Sequence, residues 1–278
     1  MAAFETASEH RCYGGTVGFY RHESDACGAM GFSVFVPPDA KDAPVLFYLA
    51  GLTCTEETFM VKAGAQRLAS ELGMVLVAPD TSPRGTAYKG ATDDWDFGEG
   101  AGFYLDATEK PWLGRFRMYT YVTEELPKLL VDEFPVDPER MGIFGHSMGG
   151  HGALTIALKN PDLYRSVSAF SPIVSPSEVP WGKKALPRYL GDDEESWAEY
   201  DTCRLLESGR TFPDTILVDQ GMKDPFLVEQ LDPDRFDEAC EAAGQKVELR
   251  RQDGYDHGYY FVSTFMADHL RHHAERLC

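Results

Sequence analysis

The sequence contains a serine, an aspartate and a histidine whose types and order could support nucleophilic catalysis. Ser147 lies in the stretch GHSMG, which matches G-x-S-x-G, the pattern of a strained turn between a strand and a helix that exposes a serine hydroxyl. A short apolar run precedes this stretch and a run with helical period follows it, which is the setting that the motif requires. We therefore interpret Ser147 as a nucleophile for acyl transfer rather than as a small residue in a structural turn.

A serine hydroxyl needs a base to take its proton, and His257 is the strongest candidate for that base. His257 lies in DGYDHGYYF, directly after the last strand-like run, where a loop could carry it over the strand ends. His146 and His151 adjoin the serine without the chain separation that the geometry needs. Three further histidines fall on a terminal helical pattern and are expected at the surface: His269, His272 and His273.

The acid that orients the histidine has two candidates in the stretch TILVDQGMKDPFL. Asp224 lies in the loop beyond a strand-like run, from which a carboxylate can reach a histidine ring. Asp219 lies at the strand end and could be held in the hydrogen bonding of the sheet. We therefore favour Asp224, and we expect Asp256, next to His257 in sequence, to brace its own loop.

Acyl transfer also needs N–H donors aimed at the negative charge that develops on the carbonyl oxygen. In a site of this type, one donor is the amide of the residue after the nucleophile, here Met148, and the other comes from a loop after an early strand. The stretch YLAGLTCTEET fits that loop, and we predict the Leu52 amide as the second donor. The alternative is that Gly51 merely ends a strand.

Several side chains near these motifs could border the substrate. Trp181 and Phe226, together with Met148, are candidates to close a small acyl pocket, although aromatic residues at such positions can equally belong to the core. Cys54 lies two residues beyond Leu52, which is within about 7 Å of that amide at the length of extended chain. We expect Cys54 to border the cleft as a non-catalytic thiol, with a buried apolar position and a nucleophilic role as the alternatives.

An α/β fold must position these residues, because short apolar runs alternate with segments of helical period over most of the chain. Runs this short are typical of strands buried on both faces of a largely parallel sheet. The predicted strands are 32–36, 45–50, 74–78, 141–145, 166–170, 215–219 and 246–250. The predicted helices are 58–73, 117–134, 151–160 and 233–244.

Three local features modify this pattern. Pro127 lies inside the second predicted helix and should kink or split it. The segment 81–113 is rich in glycine, aspartate and aromatic residues and has no clear period. We expect this segment, and the segment 171–193, to form binding loops or a lid over the strand ends.

Length and composition limit the classes of protein that the chain can belong to. With 278 residues and 43% hydrophobic content, the chain is expected to form one domain, 1–278, around one sizeable core. No run approaches the roughly 18 apolar residues of a membrane span, and the first residues lack the pattern of a signal peptide. A cytoplasmic location is therefore expected.

Cysteine usage and charge exclude further classes. Six cysteines without a C-x-x-C pair indicate reduced thiols, with neither a disulfide framework nor a zinc site. The net charge of −19 argues against nucleic acid or an anionic membrane as a partner, because both bind basic surfaces.

Five stretches together resemble the S-formylglutathione hydrolase, or esterase D, family of α/β hydrolases: AGLTCTEET, GHSMGGHGAL, SPIVSPSEVPWGKKA, DQGMKDPFL and GYDHGYYF. The resemblance covers nearly the whole chain. It implies an α/β-hydrolase fold with a mostly parallel central sheet and helices on both faces. It also implies a serine thioesterase that hydrolyses S-formylglutathione to glutathione and formate in formaldehyde detoxification, acts on short-chain carboxylic esters, and works as a cytosolic homodimer without metal or organic cofactor.

The family's functional positions can be carried over residue by residue. The resemblance places the catalytic triad on Ser147, Asp224 and His257, and the oxyanion amides on Leu52 and Met148. It also implies sensitivity to thiol reagents at Cys54.

Two departures from the family pattern stand close to these motifs. Serine is more frequent in the family where this chain has Ala50, and another residue is frequent where it has Gly258. Neither position belongs to the predicted triad, so the departures affect only the fine shape of the pocket.

Two other functions are compatible with the sequence. One is a general carboxylesterase or acyltransferase on the same scaffold, such as a feruloyl esterase, although the missing export signal disfavours the secreted members. The other is a binding protein that retains the fold without catalysis, which the intact serine, aspartate and histidine disfavour.

Charge raises a separate question about the substrate. Glutathione is an anion near neutral pH, and a protein this acidic does not steer it at long range. Local cations are therefore candidates to hold its carboxylates: Lys62, Arg84, Lys89 and Lys183.

Overall fold

One nine-stranded sheet organises residues 3–278, the part of the chain that the computed structural model describes. Its strands are β1 (Glu5–Cys12), β2 (Gly15–Ser24), β3 (Gly28–Val36), β4 (Ala43–Leu49), β5 (Val75–Pro79), β6 (Val136–His146), β7 (Ser166–Phe170), β8 (Ile216–Gly221) and β9 (Val247–Gln252). They lie in the order β1-β2-β3-β5-β4-β6-β7-β8-β9. The pairs from β5 through β4 to β9 are parallel, and those from β1 through β3 to β5 are antiparallel.

The mostly parallel sheet is confirmed, and each predicted strand is present. The strand 166–170 has the predicted ends, and the others differ by one to five residues at an end. The antiparallel hairpin of β1 and β2 was not predicted from the sequence. In β1, the sequence ETASEHRC is exposed along most of its length at the edge of the sheet. A strand of this kind has no buried apolar run by which it could be recognised.

Helices cover both faces of the sheet. They are α1 (Glu56–Lys62), α2 (Gln66–Leu72), α3 (Met118–Thr120), α4 (Leu126–Glu133), α5 (Met148–Lys159), α6 (Pro180–Leu190), α7 (Glu194–Ala198), α8 (Thr202–Glu207), α9 (Pro233–Ala243) and α10 (Tyr259–Leu277). Two π-helical segments add to them, Tyr121–Glu125 and Leu227–Leu231. None of the helices in residues 3–278 is long and apolar enough to cross a membrane.

Two predicted helices differ in detail from those observed. The predicted helix 58–73 is the pair α1 and α2, because Gly64 between them has a φ of 69°, a left-handed conformation that interrupts a helix. The predicted helix 117–134 is a continuous helical run, Met118–Glu133, in which the π-helical segment Tyr121–Glu125 lies between α3 and α4 and ends just before Pro127. Pro127 lies in the first turn of α4, where its missing N–H breaks no hydrogen bond.

The sheet has an apolar core on each face. In β4, Val45, Phe47 and Leu49 belong to one buried cluster, and Leu46 and Tyr48 belong to another. Successive side chains of a strand point to opposite faces, so a continuous apolar run is what a strand covered on both sides requires.

The three histidines of α10 are buried, so the expectation that they lie at the surface is wrong. His273 hydrogen-bonds to Ser166 and Ser168, and His269 hydrogen-bonds to Ser168. His272 Nε2 lies 3.1 Å from the carbonyl oxygen of Val167 in the same strand. A helix that packs on the sheet can bury histidines when the strand beneath it offers hydroxyl and carbonyl partners.

The carboxyl ends of the parallel strands meet at one edge of the sheet, where an open α/β fold binds its ligands. Gly51 and Leu52 follow β4, and Ser147 directly follows β6. Asp224 follows β8, and His257 follows β9. The topology therefore gathers the predicted site residues from four strands.

Candidate active site

Ser147 occupies a strained turn between β6 and α5, with φ of 58° and ψ of −118°. A non-glycine residue in such a conformation costs on the order of 1–3 kcal/mol. The two glycines of the motif make room for the turn: a Cβ on Gly149 would lie 1.9 Å from the carbonyl oxygen of Leu49, and one on Gly145 would lie 2.2 Å from the carbonyl oxygen of Gly149. The backbone thus has the strand–turn–helix form that the G-x-S-x-G pattern requires.

His257 and Asp224 form a hydrogen-bonded pair, with 2.5 Å between His257 Nδ1 and Asp224 Oδ2. The Asp224 side chain is fully buried and that of His257 is 18% exposed. The backbone N–H of Phe226 donates to Asp224 Oδ1 at 2.9 Å, which fixes the carboxylate. Because Nδ1 donates to this carboxylate, the neutral ring carries its lone pair on Nε2, where a base needs it.

Asp219 does not contact His257. It is held by hydrogen bonds to other residues, as the sequence allowed. Its buried carboxylate binds Arg250, His269 and Gln252. Burial alone would raise the pKa of Asp219, but the hydrogen bonds from His269 and Arg250 outweigh burial and lower that pKa. Asp256 accepts a hydrogen bond from the backbone N–H of Gly258 at 2.9 Å, in its own loop, as expected.

A second aspartate, histidine and serine are linked by hydrogen bonds in the core. Asp219 Oδ2 lies 3.0 Å from His269 Nε2, and His269 Nδ1 lies 2.8 Å from Ser168 Oγ. All three residues have no exposed surface, so no substrate can reach this serine. Access to a cleft, in addition to residue type, distinguishes Ser147 from Ser168.

Ser147 and His257 line one cleft of ≈ 290 Å³ at the carboxyl edge of the sheet. Within residues 3–278, no hydrogen bond joins Ser147 Oγ to the His257 ring. Such a contact often tightens only when the substrate is bound. The lining residues are Gly51, Leu52, Cys54, Trp95, Asp96, His146, Ser147, Ile173, Trp181, Phe226, Gln230, Leu231, His257 and Tyr259.

The backbone N–H groups of Leu52 and Met148 have no hydrogen-bond partner in the described part of the chain. The loop that carries Leu52 lies against the serine, since a Cβ on Gly51 would be 3.3 Å from Ser147 Cβ. Met148 is the first residue of α5, where backbone N–H groups are unpaired and the helix dipole favours negative charge. These two amides can therefore stabilise an oxyanion beside Ser147.

Three of the expected cleft residues line the cleft: Cys54, Trp181 and Phe226. Trp181 is held by a hydrogen bond from its Nε1 to the carbonyl oxygen of Asp96 at 2.6 Å. The expectation that the side chain of Met148 helps to close the acyl pocket is wrong. That side chain is fully buried in the core beneath α5.

The two irregular segments both reach the cleft. The segment 81–113 contains no helix or strand and contributes Trp95 and Asp96. The segment 171–193 contributes Ile173 and Trp181, although it also contains α6. Both segments therefore border the cleft, as expected of binding loops, and the second contains a helix where a loop was predicted.

His146 lies in the cleft wall, a location that no sequence signal indicated beyond its position before the serine. Its ring centroid is 4.5 Å from that of His257. It is 5% exposed, and neither ring nitrogen has a hydrogen-bond partner within residues 3–278. Burial first, and then the charge of a protonated His257, hold the pKa of His146 well below its usual value. A neutral ring can pack on His257 without competing for its proton.

The thiol of Cys54 is half-buried at the base of the cleft. Burial raises the pKa of this thiol, while the neighbouring hydroxyls of Thr58 and Tyr259 act in the opposite direction. A thiol that stays protonated is a weak nucleophile. All six cysteines are free, and residues 3–278 contain no group of three side chains suited to holding a metal ion.

None of the four cations proposed from sequence lines the cleft within the described residues: Lys62, Arg84, Lys89 and Lys183. Lys62 Nζ lies 5.8 Å from the centroid of the Tyr259 ring. Arg84 Nε lies 2.7 Å from Asp80 Oδ2, and its NH2 group donates to the carbonyl oxygen of Cys54. The Arg84 guanidinium therefore binds Asp80 and the loop that carries Cys54, and it does not line the cleft.

Comparisons with known proteins show the family to which the chain belongs. A family model named Esterase, described as "Putative esterase", matches residues 26–272. The S-formylglutathione hydrolase of Mus musculus is 54% identical over 279 residues, which cover 99% of this chain and 99% of the relative. That of Paracoccus denitrificans is 53% identical over 280 residues, with 99% of each chain covered.

Comparison with solved structures shows the same relationship. The solved structure of an S-formylglutathione hydrolase from Agrobacterium tumefaciens has a TM-score of 0.96 and 51% identity, covering 98% of this chain and 99% of that one. A fluorophosphonate-binding serine hydrolase F from Staphylococcus aureus has a TM-score of 0.74 at 18% identity, covering 94% and 98% of the two chains, and shares the fold. The chain has the α/β-hydrolase fold and belongs to the S-formylglutathione hydrolase family of esterases.

Proposed function

We propose that this protein is a serine thioesterase that hydrolyses S-formylglutathione to glutathione and formate, with side activity on short-chain carboxylic esters. The observation that carries the proposal is the pairing of His257 with buried Asp224 in the wall of the cleft that also holds Ser147. Relatives named S-formylglutathione hydrolase that match the chain over nearly its full length support the choice of substrate.

In the first step, Ser147 Oγ attacks the formyl carbon while His257 Nε2 takes the hydroxyl proton. Asp224 holds the ring in the tautomer that leaves Nε2 free and stabilises the imidazolium that forms. The amides of Leu52 and Met148 donate to the oxyanion of the tetrahedral intermediate. Collapse of this intermediate breaks the C–S bond, and the proton on His257 passes to the departing thiolate.

In the second step, water attacks the formyl ester on Ser147. His257 Nε2 takes a proton from this water and then returns it to Ser147 Oγ as formate leaves. Both steps move only an acyl group and protons, so we expect no metal or organic cofactor to take part.

The acyl group gives a direct test of substrate class. A formyl group places only a hydrogen beyond the carbonyl carbon, so we expect S-formylglutathione and short p-nitrophenyl esters to react faster than butyrate or longer esters. Steady-state kinetics with the two series measures this preference. A higher kcat/KM for butyrate than for formate and acetate would favour a general carboxylesterase.

The nucleophile can be tested by Ser147→Ala. Alanine fits the turn and removes only the hydroxyl, so hydrolysis should be lost while the unfolding transition is retained. Labelling by a fluorophosphonate should occur in the native chain and be absent in the variant. A folded native chain that takes no label would support a binding protein without catalysis.

Membership of this family supports three further proposals, on domain organisation, cellular location and oligomeric state. We propose that residues 1–278 act as one domain, that the protein is cytoplasmic, and that it forms a homodimer. Sedimentation at several protein concentrations would test the dimer, and fractionation of cells would test the location.

A further inference from the structure

The cleft carries a negative side chain where the sequence led us to look for positive ones. Among the residues 3–278 that line it, Asp96 is the one side chain with a carboxylate or ammonium group. Its side chain is 18% exposed. Its ion pair is with Lys184, which does not line the cleft. Such a carboxylate beside an apolar cleft attracts a cation, which bears on which end of the substrate the cleft recognises.

Asp96 is fixed in place by α6. Its carbonyl oxygen accepts the indole N–H of Trp181 at 2.6 Å, and its carboxylate lies 2.5 Å from Lys184 Nζ. Lys184 Nζ also lies 3.6 Å from Asp94, which does not line the cleft. The Asp96 carboxylate is therefore preorganised, and the side chain of its partner Lys184 is 39% exposed.

A hydrogen-bond donor lies in the same wall. Gln230 lines the cleft, and its Oε1 accepts the backbone N–H of Trp181 at 3.1 Å. This bond orients the amide so that Oε1 is occupied, and Nε2 has no protein partner in the described part of the chain. An amide nitrogen held in this way can donate to a carbonyl oxygen of a ligand.

We propose that this wall is the subsite of the thiol leaving group, and that it selects a peptidic thiol with a free α-ammonium group. Asp96 accepts the ammonium, and Gln230 Nε2 donates to an amide carbonyl of the same thiol. Lys184 binds the α-carboxylate next to the ammonium. A zwitterionic amino-acid head therefore replaces the Asp96–Lys184 ion pair with two ion pairs to the ligand. The inference rests on the proposed function, because glutathione is a thiol that carries such a head.

The test compares two substrates on three enzymes. The substrates are S-formylglutathione and its N-acetylated analogue, which lacks the ammonium, with p-nitrophenyl acetate as the reference that has no peptide. The enzymes are the native chain, Asp96→Asn, and the matched control Asp94→Asn, which removes a carboxylate that contacts the same Lys184 outside the cleft. Each kcat/KM is divided by that for p-nitrophenyl acetate on the same enzyme.

A charge-assisted hydrogen bond at a partly exposed site predicts that N-acetylation lowers this ratio roughly tenfold in the native enzyme, mainly through KM. Asp96→Asn should lower the ratio for S-formylglutathione by a similar factor and remove the effect of N-acetylation. Asp94→Asn should behave as the native enzyme does. The comparison of substrates on the native enzyme keeps the test valid even if a variant folds poorly.

Two results would overturn the inference while leaving the proposed function in place: a native enzyme that ignores N-acetylation, or an Asp96→Asn enzyme that still discriminates. A native enzyme that hydrolyses p-nitrophenyl acetate but no glutathione thioester would overturn both.

Discussion

At the scale of single residues, two buried aspartates of one chain segment have different surroundings. Asp224 contacts His257 in the cleft, whereas Asp219 binds Arg250 and His269 in the core. We expect Asp224→Asn to lower kcat by about 10⁴, the scale known from a serine protease in which the same change leaves the histidine in the wrong tautomer. Enzyme kinetics measures this loss of kcat, and urea unfolding shows whether the variant stays folded.

Asp219→Asn is the matched variant, because it makes the same chemical change at a buried carboxylate outside the cleft. It should keep most of the kcat and lower the free energy of unfolding by about 3 kcal/mol, since it leaves Arg250 without its partner. If Asp219→Asn were the inactive variant and Asp224→Asn the active one, our choice of the acid would be wrong.

Cys54 gives a second prediction at this scale. Its thiol lines the cleft but is protonated near neutral pH, because burial raises its pKa. A bulky maleimide should therefore inhibit slowly, faster as the pH rises, by filling the cleft. Cys54→Ser should keep most of the activity and lose this sensitivity, as shown by activity after timed exposure.

The control for this experiment is Cys278→Ser, because Cys278 is exposed and does not line the cleft. This variant should be inhibited as the native enzyme is. A Cys54→Ser enzyme as inactive as Ser147→Ala would give the thiol a chemical role, and one that remained fully sensitive would identify another cysteine as the target.

At the scale of elements, the site depends on how closely α5 packs on β4. A Cβ on Gly149 would lie 1.9 Å from the carbonyl oxygen of Leu49, and backbone cannot move aside as a flexible side chain can. Gly149→Ala should therefore destabilise the fold by about 1–3 kcal/mol and also lower kcat, because it shifts the turn that holds Ser147. Urea unfolding and kinetics would measure both effects.

Gly150→Ala serves as the graded control. Its added Cβ would meet the side chain of Pro172 at 3.0 Å, a looser contact than that of Gly149 with backbone. We expect a smaller loss of stability and of kcat. Equal losses in the two variants would mean that the close contact of Gly149 with the β4 backbone does not set the size of the effect.

At the scale of the whole molecule, buried histidines should make the fold sensitive to acid. Burial lowers the pKa of His151 from 6.5 to about 4, against a smaller opposing effect of its hydrogen bond to the carbonyl of Phe103. The pKa of His272 is also lowered from 6.5 to about 4, and burial is again the largest cause. Unfolding lets each residue take up a proton near its ordinary pKa, so the unfolded chain binds more protons between pH 6.5 and about 4.

Stability should accordingly be full above pH 6.5 and fall as the pH drops towards 4, by roughly 3 kcal/mol for a histidine such as His151. Urea unfolding at pH 7, 6 and 5 measures this slope. His151→Gln cannot take up the proton and should show a shallower slope than the native chain. A native stability that stays level or increases from pH 7 to pH 5 would contradict the prediction.

The sequence by itself indicated the fold class and the candidate serine, aspartate and histidine of the site. Local signals sufficed for this: apolar runs of strand length indicated the parallel sheet, and GHSMG indicated the turn at Ser147. Because the carboxyl ends of parallel strands share one edge, the order of strands and motifs along the chain also predicted that Asp224 and His257 would lie near that serine.

The tertiary structure decided what depends on neighbours distant in sequence. The α10 helix follows an amphipathic pattern, yet His269 and His273 are buried because strand serines satisfy their nitrogens. The sign of the charge in the cleft was also invisible in the sequence. Many charged residues lie in the surrounding loops. The packing of α6 against the segment 81–113 places Asp96 in the lining of the cleft, whereas the predicted cations lie elsewhere. Hydrogen-bond partners and solvent access, which fix both outcomes, are properties of the folded chain and not of any local stretch.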